Sequence, residues 1–217
     1  AAIGPWNWPA MITIWQVAPA LRMGNTVVVK PSEFTPLIVS ALIHIMNTVL
    51  PEGVVNVVSG GREVGAALTV DPAIGKVMFT GSTATGKAII KSSADTVKRL
   101  TLELGGKSPN IFFEDVAAQK DSFYEKAQEG FAFFALNQGE VCTCPSRALI
   151  QASIYDGFLA DGIERVKKIV QGNPLDTNTM IGAQASNDQL EKILSYIDIG
   201  KAEGAKLLIG GERADLG

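Results

Sequence analysis

Residues 76–87 read Lys76-Val77-Met78-Phe79-Thr80-Gly81-Ser82-Thr83-Ala84-Thr85-Gly86-Lys87. The apolar run Lys76–Thr80 reads as a buried strand, Gly81-Ser82 breaks it, and a helix is expected from Thr83 to about Ser93. Gly81, Gly86 and Lys87 also have the spacing of a phosphate loop, but Ala88 stands where a Ser or Thr would hold magnesium. A helix that starts just past Ser82 still offers unpaired N–H groups to an anion, so phosphate binding is expected there. A P-loop-like phosphate or nucleotide hydrolase centred on Gly81–Lys87 is the alternative function on this reading.

The same unit recurs on both sides. Upstream, Thr26-Val27-Val28-Val29-Lys30 is a β-branched strand, broken by Pro31-Ser32-Glu33 and followed by a helix from Thr35-Pro36 towards Pro51. Val54–Val58 is a second strand, and Gly60-Gly61 opens a helix carrying Val64 and Leu68. Downstream, Arg99–Leu104 is a fourth strand, closed by Gly105-Gly106. Four strands alternating with helices predict an α/β fold with a doubly wound, Rossmann-like parallel sheet. Ligands of such sheets sit beyond the strands' carboxyl ends, where the polar and glycine-rich breaks fall. No G-x-G-x-x-G fingerprint is present.

Outside this core, Gly4-Pro5-Trp6-Asn7-Trp8-Pro9 reads as a rigid turn leading into a helix with Met11, Ile14, Trp15 and Ala18. Past Gly106 the pattern changes. A strand is expected at Pro109–Phe113, a long helix over about 116–135, and a strand at Arg147–Gln151. Helices over about 155–170 and 187–204 and a last strand at Lys206–Ile209 follow. A domain boundary is expected near Gly105-Gly106, dividing residues 1–104 from 105–217.

Both cysteines lie in the turn Asn137-Gln138-Gly139-Glu140-Val141-Cys142-Thr143-Cys144-Pro145. An i, i+2 pair makes no sensible disulfide, and two cysteines with one histidine are poor zinc ligands. A thiolate nucleophile is the better reading, because it needs partial exposure and nearby backbone N–H groups. Local chemistry slightly favours Cys142, since Pro145 stiffens the backbone after Cys144. The 19 basic and 22 acidic residues give a net charge of −3 without a basic run, which argues against nucleic acid or anionic lipid partners. No apolar run reaches the length of a membrane span and no signal peptide is visible, so a cytoplasmic protein is expected. Neither end reads as a natural terminus, so the chain is expected to be a fragment.

Other polar residues each carry two readings. Lys30 and Glu33 are either a solvated loop or contacts to ribose hydroxyls. Glu103, at a strand's carboxyl end, is an edge charge or a general base. Asn7 either caps its turn or offers an amide N–H to an oxyanion.

Together, Gly4–Pro9, Lys30–Glu33, Phe79–Ser82, Leu102–Ser108 and Asn137–Cys142 resemble the aldehyde dehydrogenase superfamily, in family order and from end to end of the chain. The resemblance implies NAD(P)-dependent oxidation of an aldehyde to a carboxylic acid through a cysteine thiohemiacetal and thioester. It makes Cys142 the nucleophile and Cys144 a bystander. The Asn7 amide and the Cys142 backbone N–H become oxyanion donors, and Glu103 the base that activates water. Lys30 and Glu33 become adenosine-ribose contacts, Ser82 a pyrophosphate contact, and Gly61 and Gly65 close-approach glycines. Ser32, Thr80, Gly81, Leu104 and Gly105 fall within the matching cofactor motifs. A carboxylate at Glu33 suits NAD over NADP.

The resemblance further implies a homodimer or homotetramer of the full-length protein. Glu140 departs from the family's commoner Gln, and a carboxylate there is expected to raise the pKa of the neighbouring thiol. The wording Glu140–Arg147 resembles bacterial members acting on acetaldehyde and other short aliphatic aldehydes. The downstream Glu-x-Phe motif and the oligomerisation arm are missing, so the chain alone is expected to be inactive.

Overall fold

The computed structural model describes residues 1–216. The chain divides into two compact units, Ala1–Gly105 and the residues from Gly106 onward.

The first unit is built on a five-stranded sheet with every pairing parallel: β1 (Ala2–Ile3), β2 (Val27–Lys30), β3 (Val55–Val57), β4 (Lys76–Gly81) and β5 (Arg99–Leu104). Their spatial order is β3-β2-β1-β4-β5. The chain winds outward from β1 to β3, then returns to place β4 against the other side of β1. That reversal creates a switch point between β1 and β4, where the crevice at the carboxyl ends of such sheets lies. Its central strand, β1, has two residues, too short to show a period, and is absent from the sequence reading above.

Helices cover both faces of this sheet, as continuous apolar strands require. Helices α1 (Pro9–Arg22) and α2 (Pro36–Met46) supply Val17, Val39 and Ile43 to a core with Ala2, Val27, Val29 and Val55. On the opposite face, α4 (Thr83–Ser93) sets Ile89 against Ile3, Val77 and Phe79, with Leu68 of α3 (Arg62–Val70) beside them. Proline occupies the first turn of α1 and of α2, where its fixed φ is suited and its missing N–H costs nothing. Helix α2 ends at Met46, short of the expected Pro51; the next residues turn back through Leu50 N–Met46 O (3.0 Å).

The second unit pairs β6 (Ser108–Phe112) in parallel with β7 (Pro145–Ile150), with a register shift between Ser108 and Pro109. The connection between them passes through α5 (Ser122–Ala132). Phe112, Tyr124 and Phe158 form the core beneath it, with Phe158 in α6 (Tyr155–Val166) and α7 (Asn187–Ala202) further along the chain.

Three expectations are corrected here. The long helix over 116–135 is a 3₁₀ turn (Glu114–Ala117), α5, and a kinked 3₁₀ stretch (Phe133–Gly139). Asp121 starts α5 afresh, its carboxylate accepting from Phe123 N (2.9 Å) and Tyr124 N (3.1 Å) as an N-cap. The helix over 155–170 stops at Val166. Residues 206–209 form no strand, although Leu207, Leu208 and Ile209 are apolar. A strand needs a hydrogen-bonded partner, and these residues have none within the described chain. Among the described residues no helix is long and apolar enough to cross a membrane.

Candidate active site

The carboxyl ends of the first unit's strands gather most of the polar residues singled out above. Lys30 closes β2 and is 5% exposed, which removes the solvated-loop reading of its side chain. Its Nζ donates to Pro31 O (3.0 Å) and lies 3.5 Å from the Glu33 carboxylate, which itself remains half exposed. Ser32 between them is buried, and its Oγ accepts from Phe34 N (3.3 Å). Gly65 of α3 faces this lysine: a Cβ there would stand 3.8 Å from Lys30 Cδ. Gly61 is the N-cap of α3 and donates its N–H to Glu63 Oε1 (2.9 Å).

At the end of β4, Thr80 and Gly81 stand in register with Glu103 and Leu104 of β5. Thr80 is buried, whereas Glu103 is exposed. Gly81 answers a close approach, since a Cβ there would fall 2.5 Å from the Phe79 ring. The Leu104 side chain packs on α4, and Gly105 lies in open space. Ser82 caps α4, its Oγ accepting from Thr85 N (3.2 Å) and donating to Thr85 Oγ1 (2.9 Å).

This geometry corrects the phosphate-loop reading. Thr83–Lys87 are already helical, leaving Ser82 alone between strand and helix, too little backbone to wrap a triphosphate. The helix N-terminus still presents donors to an anion. Asn7 follows β1 in a bend before α1, and the preceding carbonyl, Trp6 O, accepts from Thr35 Oγ1 (3.1 Å). Asn7, Lys30, Thr80 and Glu103 therefore belong to one unit and to the same end of one sheet.

One residue escaped the sequence reading. Gln16 of α1 is 8% exposed, and its Nε2 donates to Thr80 Oγ1 (3.4 Å). Thr13 and Gln16, polar and three apart on the buried face of an apolar helix, were the available signal.

Cys142 belongs to the second unit. The turn before it holds three successive left-handed residues: Asn137 (φ 49°), Gln138 (φ 60°) and Gly139 (φ 78°). Two of them carry side chains, a conformation that costs energy and persists only where neighbours enforce it. The two cysteines are free and differently placed. Cys142 is exposed; Cys144 is buried and its Sγ–H donates to Phe133 O (3.1 Å). Burial first, and the nearby Cys142 second, push the Cys144 thiol above its ordinary value. The neutral thiol is therefore favoured there.

Glu140 is 8% exposed, and its Oε1 accepts from Ala185 N (2.9 Å). Burial raises its pKa, while the Ala185 N–H and Gln138 act in the opposite direction. Sequence alone gave no sign of the partner at Ala185, 45 residues away.

A doubly wound parallel sheet with polar residues at its strand ends, carried in one chain with a unit that exposes a thiol shortly after a left-handed turn, defines an α/β protein of two units. The chain belongs to the aldehyde dehydrogenase family, whose model matches residues 1–217. It is 63% identical over 214 residues to a fluoroacetaldehyde dehydrogenase of Streptantibioticus cattleyicolor, covering 98% of this chain and 42% of the relative. It is 60% identical over 210 residues to acetaldehyde dehydrogenase 2 of Cupriavidus necator, covering 96% of this chain and 42% of the relative. The crystal structure of betaine aldehyde dehydrogenase from Staphylococcus aureus in complex with NAD+ superposes with a TM-score of 0.90 at 40% identity, covering 99% of this chain and 42% of that one. The chain thus spans well under half the length of these relatives.

Proposed function

We propose that the protein carrying this chain oxidises short aliphatic aldehydes to carboxylic acids with NAD, through a thioester on Cys142. The observation that carries the reading is the contrast between the two thiols: Cys142 is exposed after a left-handed turn, and Cys144 is buried and bonded to a carbonyl. The names of the relatives acting on acetaldehyde and fluoroacetaldehyde support a short aliphatic substrate.

The Cys142 thiolate adds to the aldehyde carbon, forming a C–S bond and an oxyanion for the Asn7 amide and the Cys142 N–H to stabilise. Loss of hydride from that carbon leaves the thioester. Glu103 then takes a proton from water, the water oxygen adds to the thioester carbon, and C–S cleavage returns the thiolate and releases the acid. Bound NAD supplies the hydride acceptor. Its fit is supported by the Lys30–Glu33 pair at the end of β2, proposed for the ribose hydroxyls, and by the capped N-terminus of α4 at Ser82, proposed for the pyrophosphate. The Glu33 carboxylate would repel a 2′-phosphate, which favours NAD over NADP.

On this reading residues 1–104 are part of the cofactor domain and 105–217 part of the catalytic domain. The full-length protein works as a homodimer or homotetramer in the cytoplasm, a compartment that keeps thiols reduced. In the full-length protein, Cys142→Ala is expected to abolish aldehyde-dependent NAD reduction, and Cys144→Ala to retain it within about threefold. Equal losses in the two variants would overturn the assignment.

A further inference from the structure

Residues 181–185 hold the left-handed turn Asn137–Gly139 from outside through Gln138 and the adjoining Glu140. Gly182 N donates to Gln138 Oε1 (3.2 Å), Gln184 Nε2 donates to Gln138 O (3.1 Å), and Ala185 N donates to Glu140 Oε1 (2.9 Å). Within the turn, Glu140 N donates to Asn137 O (2.9 Å) and Asn137 Nδ2 to Glu140 O (3.5 Å). The segment is itself anchored at both ends. Gln171 and Ile181 form a parallel bridge, with Gly172 N donating to Ile181 O (3.1 Å) and Ile181 N to Val170 O (3.2 Å). Ser186 then caps α7, its Oγ accepting from Gln189 N (3.1 Å). A conformation unfavourable to Asn137 and Gln138 is thus fixed by partners over 40 residues away.

From these contacts we infer that Glu140 is a positioning residue: its buried carboxyl, clasped by the Ala185 N–H, locks the turn to residues 181–185 and so fixes where the Cys142 thiol is presented. The inference rests on Cys142 being the nucleophile. For its bond to Ala185 N, the strap requires of residue 140 an acceptor oxygen at the right reach, which need not carry a charge. The amide of Glu140→Gln supplies that oxygen, and Glu140→Ala does not. Gln184→Ala cuts the same strap from its other side and leaves the buried carboxyl in place.

The test uses the full-length protein and three measurements. Hydrogen exchange of amides 137–142 reads the strap, the limiting rate of Cys142 alkylation by iodoacetamide at high pH reads thiol presentation, and kcat with an aldehyde and NAD reads the reaction. Glu140→Ala and Gln184→Ala are expected to speed exchange across the turn, to change the limiting alkylation rate by about threefold or more, and to lower kcat by about tenfold or more while KM for NAD stays within about twofold, because small misplacements of a reacting group are costly. Glu140→Gln is expected to stay within about threefold of the parent in all three. Wild-type behaviour of both disrupting variants, faster exchange with unchanged alkylation and kcat, or failure of Glu140→Gln alongside Glu140→Ala would each overturn the inference. If Glu140→Ala does not fold, Gln184→Ala against Glu140→Gln decides the matter. A parent protein that alkylates at Cys142 but oxidises no aldehyde would sink the proposed function instead, and exchange and alkylation would still judge the strap.

Discussion

Glu140 and Cys144, both buried in the same turn region, differ in the hydrogen bonds that they make. Both are buried and both have raised pKa values with desolvation as the largest cause. Cys144 bonds a carbonyl through its S–H, whereas Glu140 accepts a backbone N–H. For Glu140 the sign of the pH effect follows directly. A raised folded-state value means the fold favours the protonated acid, so its contribution to stability is complete below the ordinary carboxylate value of about 4.3 and is lost as pH rises through the folded value. Glu140→Gln removes that loss. Urea unfolding from pH 4 to 8 should therefore show the variant gaining on the parent as pH rises, with the gap levelling only once pH has passed the folded value. A gap that shrinks with pH would contradict this.

At the scale of elements, the second unit depends on aromatic packing between β6, α5 and α6. Phe158 is 1% exposed and meets Phe112, Tyr124 and Phe131 at ring-centroid distances of 4.6, 5.8 and 5.9 Å. Its backbone carbonyl also accepts from Gln128 Nε2 (3.0 Å). Phe158→Ala should cost about 3–5 kcal/mol, read from the unfolding midpoint, because the cavity opens where four rings meet. Nearby, Asp161 joins the two helices, accepting from Lys120 Nζ (2.7 Å) and from the Tyr124 hydroxyl (2.5 Å). Those two partners, Lys120 first, lower the Asp161 pKa. The Lys120 pair lies at the surface and the Tyr124 bond is only part-buried, so the aromatic core carries the larger share.

For the molecule as a whole, the residues proposed to hold NAD all fall in the first unit, spread over the ends of β2, β4 and β5 and the starts of α3 and α4. Only the folded sheet brings Lys30, Gly65 and Ser82 to one end, so ligand binding should stabilise the fold by mass action. NAD at about 100 times its Kd should add about 2.7 kcal/mol to the stability of the full-length protein. NADP should give a smaller shift in melting temperature than NAD at equal concentration, and Glu33→Gln should narrow the difference. A larger shift with NADP in the parent would reverse the cofactor preference. The first unit also leaves Leu37, Ile38 and Ile45 of α2 exposed, an apolar face made by a helix that is hydrophobic nearly all round.

The sequence by itself determined the strand–helix alternation from Thr26 to Leu104, the polar breaks at the strand ends, and the crowding of both cysteines into one turn. Those signals are local: β-branched runs, prolines at helix starts, and glycines at breaks need no distant partner to be read. The tertiary structure alone supplied β1, whose two residues count as a strand only because β2 and β4 flank them. It alone distinguished a buried Lys30 from a solvated one and refused a strand to residues 206–209. It also divided the two thiols and joined Glu140 to Ala185. Burial and pairing are properties of what surrounds a residue, and a partner 45 positions away leaves no mark on the local pattern.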